Sequence, residues 1–137
     1  MSRPPITCHV LDTTTGRPAA SIPVTLTLLS TSSSSSNYNS NSNPSFTATT
    51  NADGRVTGWA AQSHTASLEE LFASGRDQNK GEMSWALRFQ IDEFYEERGA
   101  VPFFPEVEIR FVVRSREEHY HVPLLVGPFS YTTYRGS

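Results

Sequence analysis

HYHVPLLVGPFSYTTYRGS, running from His119 to Ser137, holds two of the four histidines of the chain. It reads as two strands joined by a bend at Gly127-Pro128. Residues i and i+2 of a strand point to the same face, so His119 and His121 are expected to share one. The stretch ends on Tyr134-Arg135-Gly136-Ser137. Chain ends are ordinarily frayed, but an ending of Tyr, Arg and Ser on a β-rich run is expected to be placed rather than loose.

Moving outward, Glu106 to Arg114 is expected to be a strand with Val107, Ile109, Phe111 and Val113 facing inward. The clearest alternation is Met83 to Ile91, where Met83, Trp85, Leu87, Phe89 and Ile91 interleave with Ser84, Ala86, Arg88 and Gln90. Asp92 is positioned to cap a short helix over Glu93 to Arg98, stopped by Gly99. Ser67 with Glu70 three residues on forms a capping box for a helical turn or two. Asn51-Ala52-Asp53-Gly54 signals a turn between a strand at Phe46 to Thr50 and extended chain from Arg55 to Trp59, with Arg55, Thr57 and Trp59 on one face. Ile22 to Leu29 is a further strand, whose Pro23 lacks an N–H and is expected at an edge or a bulge. Ile6 to Asp12 is the first strand, with Ile6, Cys8 and Val10 facing one way and Thr7, His9 and Leu11 the other. Many short alternating strands with frequent turns predict an all-β sandwich.

Residues 30–45 differ sharply from this, being almost entirely Ser and Asn without charge. Such a segment buries too little apolar surface to offset its ordering entropy, so a disordered loop inserted in a hairpin is expected. Residues 74–81 are expected to be loop as well. The 137 residues form one domain, 1–137. A net charge of −3 argues against nucleic acid as a partner, which calls for a basic stripe. The single cysteine, Cys8, excludes an internal disulfide framework. No apolar run is long enough to cross a membrane, and the first residues lack the pattern of a secretory signal. A cytoplasmic protein is expected; the ending is not a Ser-Lys-Leu type peroxisomal address.

The chain resembles the 5-hydroxyisourate hydrolases, the enzymatic branch of the transthyretin family. The resemblance rests on His121-Val122-Pro123-Leu124-Leu125 and the closing Tyr134-Arg135-Gly136-Ser137. It is extended by Cys8-His9-Val10-Leu11-Asp12, Gly16-Arg17-Pro18-Ala19, Asp53-Gly54-Arg55 and Phe104-Pro105-Glu106-Val107. These matches run in family order over nearly the whole chain, and residues 30–45 and 62–81 are extra to the pattern. The resemblance implies a transthyretin-like, immunoglobulin-like sandwich of two antiparallel four-stranded sheets with one short helix. It also implies a homotetramer with sites at the subunit interface. The implied catalytic set is His9, Arg55, His121 and Ser137, with Tyr134, Arg135 and Gly136 binding substrate and shaping the tail, and with no metal or cofactor. His119 falls outside that set and is treated as flanking.

The reaction implied is hydrolysis of 5-hydroxyisourate, in which water opens the lactam of the six-membered ring to give 2-oxo-4-hydroxy-4-carboxy-5-ureidoimidazoline. The residue types suit it. Histidine titrates near neutral pH and can deprotonate water. Arginine is a fixed cation for the oxygen that gains charge. Which histidine is the base is left open by the sequence. Three alternatives compete with this reading. A zinc hydrolase would use His119, His121 and His9 as ligands, but would not require the Tyr-Arg-Gly-Ser ending. A Cys8–His9 thiol hydrolase fails because adjacent strand residues point to opposite faces. A non-enzymatic carrier is discriminated by the Tyr134–Ser137 ending and by the histidine and arginine set, which the carrier branch of the family lacks.

Overall fold

The computed structural model describes residues 3–31, 43–62, 66–74, 82–115 and 118–137. Most of the Ser/Asn-rich insert, 32–42, and the expected loop at 75–81 lie outside the described residues. Two five-stranded sheets face one another. The first takes β1 (Ile6–Asp12) at its centre, with β9 (Tyr120–Val126) on one side and β10 (Tyr131–Thr133) beyond it. On the other side of β1 lie two short pieces, β2 (Arg17–Pro18) and β5 (Arg55–Val56). The second sheet runs β6 (Ala60–Ala61), β4 (Ser45–Thr49), β3 (Pro23–Thr31), β7 (Met83–Gln90), β8 (Glu106–Val113).

The alternation expected in each long strand is the one that fills the core. Ile6, Cys8 and Val10 from β1 and Val122, Leu124 and Val126 from β9 meet Val24, Leu26 and Leu28 from β3 and Trp85, Leu87 and Phe89 from β7. Each fully buried side chain of this size contributes about 1.5–3 kcal/mol of transfer free energy. Asp12 and Thr50 are the buried polar residues among those described. Both are satisfied. The Thr50 hydroxyl donates to the Ala19 carbonyl (2.7 Å), and Asp12 accepts from Tyr95, Thr15 and Thr14.

Several details differ from the sequence expectation. Each sheet has five segments rather than four, because the two-residue pieces β2, β5 and β6 add short pairings too brief to leave a pattern. The pairing of β1 with β9 is parallel, in register from Ile6↔Tyr120 to Asp12↔Val126, so the first sheet is mixed. Parallel neighbours need a long crossover, and here the whole second sheet supplies it. Two helices are present among the described residues rather than one. The additional helix, α1 (Leu68–Ser74), begins with the expected box: Ser67 N donates to Glu70 Oε1 and Glu70 N donates to Ser67 Oγ. Its Leu68 and Phe72 are buried, and Phe72 stacks on Trp85 at 6.1 Å. In α2 (Asp92–Glu96) Asp92 is the first helical residue, not the cap. Ile91 takes the cap position without a side-chain bond, and the amides of both donate to the Pro105 carbonyl. Pro23 is neither at an edge nor at a bulge. It is the first residue of β3, paired only with Thr49, and pairing with β7 starts at Val24, so its missing N–H costs no ladder bond. Trp59 lies beyond β5, partly buried, and donates from Nε1 to the Ile6 carbonyl at 2.8 Å. No helix among the described residues is long and apolar enough to cross a membrane.

Candidate active site

The core-facing residues of β1 alternate with Thr7, His9 and Leu11, which point to the other face of the first sheet. Parallel pairing sets Thr7 opposite His121 and His9 opposite Pro123. On the far side of β1, Arg55 pairs with His9. Three of the candidate side chains, from distant parts of the chain, are thereby brought to one sheet face by register alone.

The placement of Arg55 depends on the turn before it. Asn51 Oδ1 accepts from the amides of Asp53 (2.9 Å) and Arg55 (3.0 Å), closing the turn. Gly54 has φ +75°, and a Cβ there would lie 2.5 Å from the Val10 carbonyl oxygen. Its own carbonyl accepts from Val10 N at 2.8 Å. Only glycine tolerates that conformation and that approach, and the bond fixes Arg55 beside His9.

The C-terminal tail is pinned back across β9. Thr133 Oγ1 donates to the Pro123 carbonyl (2.8 Å) and Gly136 N donates to the His121 carbonyl (2.8 Å). Arg135 turns the other way. Its guanidinium donates to Glu118 (2.8 Å) and lies over the Tyr120 ring at 4.6 Å. Strapped in this way, Tyr134, Gly136 and Ser137 form one wall of a groove of about 710 Å³ whose floor is Thr7, His9 and His121. Arg55 and Arg3 border it as well. Six of the seven residues singled out in the sequence therefore meet in one groove. Arg135 does not line it and acts instead as the anchor of the tail.

Within the groove the His9 and His121 rings stand 6.4 Å apart at 31°. Thr7 Oγ1 is 2.8 Å from His121 Nδ1 and 3.0 Å from His119 Nε2. All three histidines titrate below the ordinary value of 6.5. For His9 and His121 burial is the larger cause and the Arg55 cation the next. For His119 burial leads, followed by Arg3. At neutral pH the groove thus holds uncharged imidazoles beside a permanent cation, the combination needed to accept a proton from water while stabilising a growing negative charge.

The alternatives fare differently. Cys8 is fully buried on the opposite face, and burial pushes its thiol up to about 12, so no thiolate reaches the groove. A three-histidine zinc centre needs three nitrogens aimed at one point, but His119 Nε2 and His121 Nδ1 are both turned onto the Thr7 hydroxyl. Thr7 and the Glu118–Tyr120 anchor were not singled out from the sequence. Thr7 carried one signal, its place on the His9 side of β1. The anchor carried none, because it depends on how the tail folds back.

A family model described as the HIUase/Transthyretin family matches residues 6–136. Among curated relatives, the probable 5-hydroxyisourate hydrolase of Schizosaccharomyces pombe is 36% identical over 98% of this chain and 92% of its own. Of solved structures, the 5-hydroxyisourate hydrolase of Klebsiella pneumoniae superposes with a TM-score of 0.60 at 25% identity, covering 96% of this chain and 98% of that one. An (S)-allantoin synthase superposes with a TM-score of 0.68 at 30% identity, covering 99% of this chain, which spans 44% of the synthase. By its sequence, its two-sheet sandwich and these relatives, the chain belongs to the HIUase/transthyretin family.

Proposed function

We propose that this protein is a 5-hydroxyisourate hydrolase in urate degradation, acting in the groove between β1, β5, β9 and the C-terminal tail. The observation that carries the site assignment is the convergence of His9, Arg55 and His121 on one sheet face, with the rings of the two histidines 6.4 Å apart. Water held between the two uncharged imidazoles loses a proton to one of them as its oxygen bonds the lactam carbonyl carbon. The carbonyl oxygen gains charge beside Arg55. The carbon–nitrogen bond then breaks, the ring nitrogen takes that proton back from the imidazolium just formed, and 2-oxo-4-hydroxy-4-carboxy-5-ureidoimidazoline leaves. Ser137 holds the water or the substrate by hydrogen bonding, while Tyr134 and Gly136 form the wall. No step requires a metal or cofactor.

The finer reading of the assembly is a homotetramer with the sites shared between subunits. It is supported by two of the sheet edges: among the described residues β8 and β10 each pair on one side only, and Tyr131, Phe129 and Val112 in or near them are exposed. Such edges are normally covered. The decisive experiment follows the ultraviolet decay of freshly generated 5-hydroxyisourate with wild type, His121→Ala and Arg55→Ala. Acceleration by wild type and near-background decay with both variants is expected. Unaccelerated decay with wild type would overturn the assignment and leave a ligand carrier.

A further inference from the structure

His119 has no place in the reaction as described, and neither does Thr7, yet the two are joined to His121. The Thr7 hydroxyl lies between His119 Nε2 (3.0 Å) and His121 Nδ1 (2.8 Å). A hydroxyl carries one proton. It donates to one of these nitrogens and accepts from the other, so exactly one of the two facing nitrogens bears a hydrogen when both rings are neutral. The three groups form a relay with only two possible directions.

The reaction at His121 selects between them. A base that takes a proton from water in the groove needs a bare lone pair on the ring nitrogen that Thr7 does not engage. That nitrogen is His121 Nε2, so the hydrogen of the neutral ring belongs on Nδ1. Thr7 Oγ1 then accepts from His121 Nδ1–H and donates to His119 Nε2.

We infer that Thr7 and His119 are positioning residues that hold the proton of neutral His121 on Nδ1, leaving Nε2 as the lone pair presented to the groove. His121 is thereby the base that takes the proton from water and, as the imidazolium, returns it to the leaving nitrogen, while His9 helps hold the water. This inference rests on the hydrolase reading above. The tautomer of a catalytic imidazole is commonly set by the bond its other nitrogen makes. Here the partner is a hydroxyl backed by a second imidazole, so the relay adds no negative charge to the groove. The charged and titratable groups that act on His121 are Arg55, His9, His119 and Arg3, with Ser137 on the groove wall. None of these groups is an anion that would hold His121 charged.

The test is nitrogen-15 NMR of the full chain labelled at the histidine rings, above pH 7, with His121 assigned by its disappearance in His121→Asn. Expected is a protonated Nδ1 and a bare Nε2 for His121 in wild type. Thr7→Val, close in shape but without the hydroxyl, is expected to shift His121 toward the Nε2–H form. General-base catalysis contributes roughly 10²–10⁴-fold, and a misplaced proton forfeits part of it. The same variant is therefore expected to lower kcat about 10- to 100-fold with little change in KM. Thr7→Ser should restore both tautomer and rate, which a purely structural role for the threonine methyl would not predict. A wild-type His121 protonated on Nε2 overturns the inference whether or not Thr7→Val folds. So does an unchanged tautomer and kcat in a folded Thr7→Val. If wild type shows the Nδ1–H form but hydrolyses no 5-hydroxyisourate, the functional reading falls and the relay stands.

Discussion

Gly136 and His121 touch through both main chain and side chain: the Gly136 amide donates to the His121 carbonyl at 2.8 Å, and a Cβ on Gly136 would come within 2.7 Å of His121 Cδ2. The tail is thus seated on the very histidine whose ring faces the groove. Pro123 Cγ and the His121 carbonyl close the space further, at 3.1 and 3.2 Å.

Gly136→Ala is therefore expected to act on the site rather than on the fold. Either the His121 ring rotates or the tail lifts, and each misplaces a reacting group. Displacements of about an ångström near the chemistry cost on the order of 100-fold in rate. A fall in kcat/KM of that order is expected, with the melting temperature within about 2 °C of wild type, since the tail adds little to the core. Steady-state kinetics beside thermal unfolding checks it; wild-type turnover by Gly136→Ala would show that the tail does not constrain His121.

Acid should switch the enzyme off below the usual histidine range. Burial first, and the Arg55 cation second, hold His9 and His121 below 6.5. The pH profile of kcat/KM is expected to show an acid limb with a midpoint under that value. In Arg55→Met the acid limb of the residual activity should move to higher pH than in wild type, because the cation that opposed protonation is gone. A limb that stays in place or moves down contradicts this electrostatic account. The linkage has a definite sign: folding depresses these pKa values, so stability from this source is complete above 6.5 and falls as pH drops through the folded values.

The long strands were legible because period-two alternation survives wherever one face is buried, as in Met83–Gln90 and Ile6–Asp12. The two-residue strands β2, β5 and β6 were not, since so short a segment carries no period. Parallel pairing of β1 with β9 was also invisible, because it joins residues more than a hundred positions apart. That one missing fact explains which site features escaped. His9, Arg55 and His121 could be named through family resemblance, whereas the bridging of Thr7 to His119 and His121 follows only from the register Thr7↔His121. Arg135 was grouped with substrate contacts because it belongs to the Tyr134–Ser137 ending that carries the family resemblance. Consecutive residues of an extended tail alternate sides, and it points to Glu118.

Arg135→Met should reveal the anchor. Loss of the Glu118 ion pair and of the stack on Tyr120 frees the segment that carries Ser137. Exposed ion pairs add little to global stability and are screened by salt. The expected result is a several-fold loss of kcat/KM without a shift in melting temperature, reproduced in part by Glu118→Gln. An unaltered kcat/KM in both variants would mean that the Gly136 and Thr133 bonds hold the tail unaided.

Tyr95 gives the converse case, a residue expected to matter for stability and not for chemistry. Its hydroxyl lies 2.8 Å from both Asp12 Oδ1 and the Val126 carbonyl, tying α2 to the C-terminal ends of β1 and β9. Burial alone would raise the Asp12 carboxyl, but bonds from Tyr95, Thr15 and Thr14 outweigh it and hold the group below its ordinary 3.8. Removing a hydrogen bond to a charged group costs about 1.5–3 kcal/mol, so Tyr95→Phe should lower the melting temperature by several degrees at pH 7. Because the folded pKa of Asp12 is depressed, this contribution is present above 3.8 and disappears as pH falls through the folded value. The gap between wild type and Tyr95→Phe should therefore narrow in strong acid, while kcat at 25 °C stays at the wild-type level. Thermal unfolding at pH 7 and in the acid range, with kinetics alongside, measures all three; a gap independent of pH would mean that the hydroxyl serves the Val126 carbonyl and not Asp12.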